Sequence, residues 1–205
     1  MNTTLKKSLT SAAILGVFAL IGTGLVAIVH HNTQARIAAN ERQALLQSLS
    51  ILVPATLYDN ALLDDARTVQ HPSLAQGAPI VVYRARRAEQ PVAAIFDTLA
   101  PDGYNGTIKL LVAVLADGRL AGVRVVAHKE TPGLGDAIEV ERSQWILHFA
   151  GKSLRDPPVE AWGVKRDGGA FDQFTGATIT PRAVVKAVKE VLDYFEQHRA
   201  MVFAE

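Results

Sequence analysis

Val112-Ala113-Val114-Leu115-Ala116-Asp117-Gly118-Arg119-Leu120 is the hinge on which the fold reads. It closes an almost wholly apolar run, Ile108 to Leu115, with an Asp-Gly pair, and a second run, Leu120 to His128, follows at once. Apolar runs this short flanking Asp-Gly predict two antiparallel strands joined by a tight hairpin, the first buried on both faces. Working upstream, Ile80 to Ala85 and Val92 to Leu99 are short runs with β-branched residues and predict two more strands. Working downstream, Gly133-Leu134-Gly135 leads to Asp136 with Glu139 three residues on, the form of a capping box. A helix is expected from there, with Ile138, Trp145 and Phe149 on one face. Near the end of the chain Thr180-Pro181 predicts a helix start, and Val184, Val188, Val191 and Phe195 recur at helical spacing. Strands, a helix, irregular chain and a terminal helix indicate α+β, with an antiparallel sheet and flanking helices, rather than a doubly wound parallel sheet.

Two segments carry the chemistry. The first, Asp172-Gln173-Phe174-Thr175-Gly176-Ala177-Thr178, ends in a hydroxyl just ahead of the terminal helix. A side chain there lies near unpaired N–H groups and the positive end of the helix dipole, where a phosphate is favoured. Thr178 is therefore read as a hydroxyl carrying a phosphate. The second segment is Glu130-Thr131-Pro132-Gly133-Leu134-Gly135, in which Pro132 stiffens the loop and the glycines let backbone approach a flat ligand. It is no dinucleotide fingerprint, because Ile138 stands where the third glycine belongs. No Ser, His and acidic set suggests a hydrolase, and no catalytic residue is assigned.

In order and content these segments resemble the FMN-binding domains of the G subunit of Rnf/Rsx electron transport complexes and of the C subunit of sodium-pumping NADH:quinone reductases. That family's flavinylation pattern is Asp, two variable residues, Ser or Thr, Gly, Ala or Ser, then Thr, met here by Asp172, Thr175, Gly176, Ala177 and Thr178. The resemblance implies that a flavin transferase moves FMN from FAD onto Thr178 and leaves a phosphoester. A Thr hydroxyl is a weak nucleophile without a nearby base or metal, so outside machinery makes chemical sense. Asp172, Thr175, Gly176 and Ala177, with Glu130, Thr131, Leu134 and Gly135, are the implied cofactor contacts. Tyr104-Asn105-Gly106 reads either as a tight turn or as part of the flavin region. Trp162 is expected in the core, and Lys165 either solvated or opposite a reduced flavin's charge. The implied function is electron relay in a membrane complex coupling redox chemistry to ion transport. Two alternatives stay open: the quinone reductase C subunit, and a membrane-tethered scaffold module without covalent flavin.

The N-terminal part sets the compartment. Leu9 to Val29 contains no Asp, Glu, Lys, Arg, Asn or Gln, enough length for a membrane-spanning helix. Lys6 and Lys7 precede it, so residues 1–8 are expected in the cytoplasm and the main domain in the periplasm, on a single-pass anchor in the cell inner membrane. A cleaved signal peptide fits less well, since the run is long and no clear Ala-x-Ala site follows. The span carries no ionisable group and so does not conduct ions alone. Residues 30–74 are expected to link, with Gln34 to Ser50 helical and Asp59 to Gln70 a connection; the FMN-binding domain would occupy 75–205. His30 and His31 supply too few ligands for a metal site.

Composition narrows the classes. In 205 residues, 21 basic against 20 acidic side chains leave no excess to mark a nucleic-acid partner. Arg84, Arg86 and Arg87 form the tight basic cluster and are read as a solvated edge. The absence of cysteine removes disulfides, thiolate catalysis and Cys-held iron–sulfur clusters. The expected partners are other subunits of the complex, the flavin transferase and membrane lipid.

Overall fold

A computed structural model describes residues 3–204 of the chain. Met1, Asn2 and Glu205 lie outside the described residues, so the expected 1–8 segment and the 75–205 domain each reach beyond them. The chain forms two compact units, Met1–Leu45 and Leu46–Glu205.

The first unit is helical. Helix α1 runs from Thr3 to Leu52 without a break, taking in both the expected span and the helix expected to leave it over Gln34 to Ser50. No glycine or proline falls between Gly24 and Pro54, so nothing in that stretch interrupts the ladder of hydrogen bonds. Pro54 then disfavours helical backbone in the residue before it, and α1 ends. Within the apolar part the Thr23 hydroxyl donates to the Ala19 carbonyl at 2.7 Å, so its polar group is satisfied inside the helix. Among the described residues one helix is long and apolar enough to cross a membrane.

The second unit is built on an antiparallel meander of β1 (Ala66–Val69), β2 (Ile80–Arg87), β3 (Gln90–Ala100), β4 (Ile108–Leu115) and β5 (Leu120–Ala127), neighbours in sequence being neighbours in the sheet. The expected α+β class holds. Strand β1 corrects the reading of residues 59–70 as connection: it pairs with β2, Arg67 opposite Val82. It escaped notice because an edge strand with one exposed face needs little apolar sequence. Between β2 and β3 the chain reverses with Ala88 and Glu89 both at positive φ, 48° and 63°, a primed turn that matches strand twist but lacks the usual Asn-Gly signal.

Both faces of the sheet are buried. Val82, Phe96 and Val112 lie opposite one another across β2, β3 and β4. Phe96 meets Tyr194 and Phe195 of helix α2 (Ile179–Phe203) edge to face, at centroid distances of 6.2 and 6.3 Å. The alternate row, Tyr83, Ile95, Ala113 and Gly122, points the other way. There the Leu52 side chain packs on Gly122, and Leu49, Val53 and Leu62 are buried. Two covered faces explain why β4 reads as one continuous apolar run.

Two further corrections concern helices. The expected helix from Asp136 is replaced by short 3₁₀ turns at Gly135–Ile138 and Trp145–Phe149. Glu139 has extended backbone, φ −73° and ψ 140°, and its carboxylate accepts from His128 Nε2 at 2.8 Å instead of closing a capping box. Ile138, Trp145 and Phe149 are buried all the same. Helix α2 begins at Ile179, so Thr178 itself occupies the cap position and Thr180 is inside the helix. Pro181 remains in the first turn, where a missing N–H costs nothing.

Of the arginines read as a solvated edge, Arg87 is exposed as expected, but Arg84 and Arg86 are corrected. Arg84 and Arg86 both pair with Asp65, with only 14% and 13% of their side chains exposed. Arg86 donates to the Phe203 carbonyl at 2.7 Å and Arg84 to that of Ala204, so both clamp the C-terminal end of α2. Carbonyls left over at a helix end are favourable partners for cations.

Candidate flavin site

The two chemical segments, some forty residues apart in sequence, meet at the start of α2. A cavity of about 300 Å³ is lined by Glu130, Thr131, Leu134 and Gly135 from one and Gly176, Ala177 and Thr178 from the other. Tyr104, Ile179 and Thr180 complete it. Asp172 and Thr175 do not line it.

Glu130 makes the junction. It is 4% exposed. One carboxylate oxygen accepts from the Thr180 hydroxyl, the other from the Asn105 N–H at 3.0 Å. Its own N–H donates to His128 Nδ1 at 3.0 Å. One side chain thus ties the loop before β4, the loop after β5 and the first turn of α2. Asn105 adds a bond from Nδ2 to Thr131 Oγ1 at 3.1 Å. The approach is close: a Cβ on Gly135 would lie 2.9 Å from Glu130 Cβ and 3.0 Å from Thr180 Oγ1. This glycine makes room for the strut itself, where the sequence reading gave it only to a flat ligand.

The segment Asp172 to Thr178 is held from outside. Ala177 N–H donates to the Phe174 carbonyl at 3.1 Å across a tight turn with Gly176 at φ 83°. Trp145 Nε1 donates to the Asp172 carbonyl at 2.8 Å, and its ring meets Phe174 edge to face at 5.2 Å. The Asp172 carboxylate pairs with Lys165 at 2.5 Å, which gives Lys165 a partner other than the cavity. Trp162 is 7% exposed and its indole N–H donates to the carbonyls of Ser153 and Pro157 at 3.1 Å, so it is a core residue.

Thr178 lies at the rim, half-buried, with φ −80° and ψ −28°. Its hydroxyl makes no capping bond, and Arg166 Nη1 approaches it at 3.5 Å. Behind it, Arg182 is fixed by two bonds to Asp167, at 2.6 and 2.8 Å. The Arg182 guanidinium beside Asp167 holds that carboxyl below the usual carboxylate range. The sequence marks Thr180 only as a helix start and gives Arg166 no role at the site; only proximity in the fold gives them one, since their partners lie 50 and 12 residues away.

The site combines a largely apolar cleft, a hydroxyl at a helix N-terminus that its helix does not use and a guanidinium beside it, and by its family match the domain that holds it is of the flavin mononucleotide-binding class. Residues 103–193 match the family model described as FMN-binding domain, and residues 1–51 that described as RnfG N-terminal region. The chain is similar to the G subunit of the ion-translocating oxidoreductase complex of Pseudomonas aeruginosa (strain UCBPP-PA14), 52% identical over 202 residues, covering 98% of this chain and 94% of the relative. It is also similar to the G subunits of the same complex from Vibrio atlanticus, at 45% identity over 94% and 92% of the two chains, and Vibrio cholerae, at 47% over 91% and 89%. The chain belongs to the family of G subunits of ion-translocating oxidoreductase complexes. Near full-length identity of this order favours that family over the quinone reductase C subunit.

Proposed function

We propose that this chain relays electrons within a membrane-bound, ion-translocating oxidoreductase complex through FMN joined to Thr178 by a phosphoester. The observation that carries the reading is the Thr178 hydroxyl, unused by its helix and placed at the lip of the cavity that unites the two motifs. The residues present fit the group. About 300 Å³ is at the lower end of the roughly 300–1,000 Å³ of small-molecule sites, which suits a flat ring left partly open to a redox partner. Leu134, Ala177 and Ile179 offer apolar surface, and the first-turn N–H groups of α2 offer donors for a phosphate.

Bound there, FMN supplies one- and two-electron chemistry. The chain's own residues position it. Glu130 locks both walls of the cavity to α2, and Thr131, Gly135, Gly176 and Ala177 frame the opening. Asp172 and Thr175 stand outside the cavity, so their place is in recognition by the flavin transferase that makes the bond. Covalent tethering keeps the cofactor at high effective concentration in a periplasm where it would otherwise diffuse away. Helix α1 anchors the chain in the inner membrane, N-terminus cytoplasmic by its flanking lysines, in contact with lipid and with the other subunits. Its span has no ionisable side chain, which leaves ion passage to those partners.

Thr178→Ala is the test. After co-expression with the transferase, a denaturing gel under ultraviolet light should show a fluorescent band for the wild-type chain and none for Thr178→Ala. Equal fluorescence in the two excludes Thr178 as acceptor.

A further inference from the structure

The strap before the attachment segment places a cation beside the acceptor oxygen. Lys165, Arg166 and Asp167 form a short 3₁₀ turn closed by Gly168 in the left-handed region. The strap is held by Lys165 N–H to the Phe171 carbonyl at 2.7 Å and Arg166 N–H to Gln173 Oε1 at 3.2 Å. Three cationic side chains gather here, and two are already matched: Lys165 by Asp172, and Arg182 by Asp167. Arg166 makes no ion pair within 4 Å among the described residues, although the Asp167 carboxylate also feels its charge, and its side-chain hydrogen bond goes to Thr178 Oγ1. The cluster is therefore short of one negative charge.

The geometry points to Arg166 as the residue that holds the phosphodiester on Thr178, an inference that rests on the attachment proposed above. A phosphate esterified to both Thr178 and the ribityl chain keeps one ionisable oxygen and one negative charge. That single charge closes the deficit. A guanidinium is also the side chain best shaped to grip two phosphate oxygens at once, and such charge-assisted bonds are about twice as strong as neutral ones. The order of events is unaffected: the transferase forms the ester, and Arg166 then fixes the tether, so that the ring rests in the cavity instead of swinging about the Thr178 side chain.

The full-length chain, co-expressed with the transferase and extracted in detergent, is compared as wild type, Arg166→Gln and Arg166→Lys. All three should fluoresce equally on a denaturing gel, because the reacting oxygen is intact. In the native state the anisotropy of flavin fluorescence should fall by roughly half in Arg166→Gln, reporting faster motion of the ring on the nanosecond scale. Arg166→Lys, which restores the charge but not the two-oxygen grip, should recover only part of it. Salt at about 1 M, where charges are screened beyond about 3 Å, should lower the wild-type value and leave Arg166→Gln unchanged, a response that a merely structural role would not give. Unchanged anisotropy in Arg166→Gln overturns the inference. Loss of the gel band in that variant does so too, since it would move Arg166 to recognition by the transferase. An unlabelled wild type overturns the attachment itself.

Discussion

At the scale of single residues, Glu130 and Gly135 matter most for the shape of the site. Truncating Glu130 to Ala strands a buried Thr180 hydroxyl and the Asn105 N–H together. The expected loss is roughly 2–3 kcal/mol, measured as a drop in urea midpoint. Gly135→Ala should cost about 1–3 kcal/mol by the same measurement, because its methyl meets Glu130 and Thr180 at 3.0 Å or less and the strut has little freedom to retreat. The sequence offered the glycine but not its reason. Both motifs were legible as motifs; that one carboxylate joins them was not, because the bond spans 50 residues.

At the scale of elements, α2 is fixed at both ends by charge. Asp65 pairs with both Arg84 and Arg86 while these hold the Ala204 and Phe203 carbonyls, so Asp65→Ala leaves two partly buried guanidiniums without their shared carboxylate. A loss of roughly 3 kcal/mol is expected, read from urea denaturation. Helix α2 also carries a proton-linked group. Burial pushes the Glu190 carboxyl above the usual range, Lys186 opposing and Asp102 and Asp193 adding to the shift. A raised carboxyl binds its proton more tightly folded than unfolded, so its contribution is most favourable below the ordinary value of 4.5 and declines as pH rises to the raised value. Glu190→Gln should flatten that decline; an unaltered slope of urea midpoint against pH above 4.5 would sink the assignment. Elements with strong periodicity or continuous apolar runs, β4, β5 and the body of α2, were legible within a residue or two. Strand β1 and the 3₁₀ turns were not, since an exposed edge and a competing His128–Glu139 bond leave no periodic trace.

At the scale of the whole molecule, the compact domain starts earlier than composition suggests. Leu49 and Leu52, in the last turn of a helix that otherwise reads as a stalk, and Val53 just after it are 0%, 6% and 0% exposed. A chain beginning at Leu46 should therefore unfold in urea as one cooperative domain, and one beginning at Pro54 should lose roughly 5 kcal/mol through the removal of three buried side chains at about 1.5–3 kcal/mol each. Equal midpoints for the two truncations would show that this end of α1 does not cover the sheet. What the sequence determined by itself was whatever is written in local runs: the apolar span, the hairpin about Asp117-Gly118, the amphipathic final helix and the two motifs. Only the tertiary structure decided which cations are already matched, which face of the sheet the end of α1 closes, and that Thr178 shares a cavity with Glu130. Those are contacts between residues far apart in the chain, and their energy depends on a geometry that no local window contains.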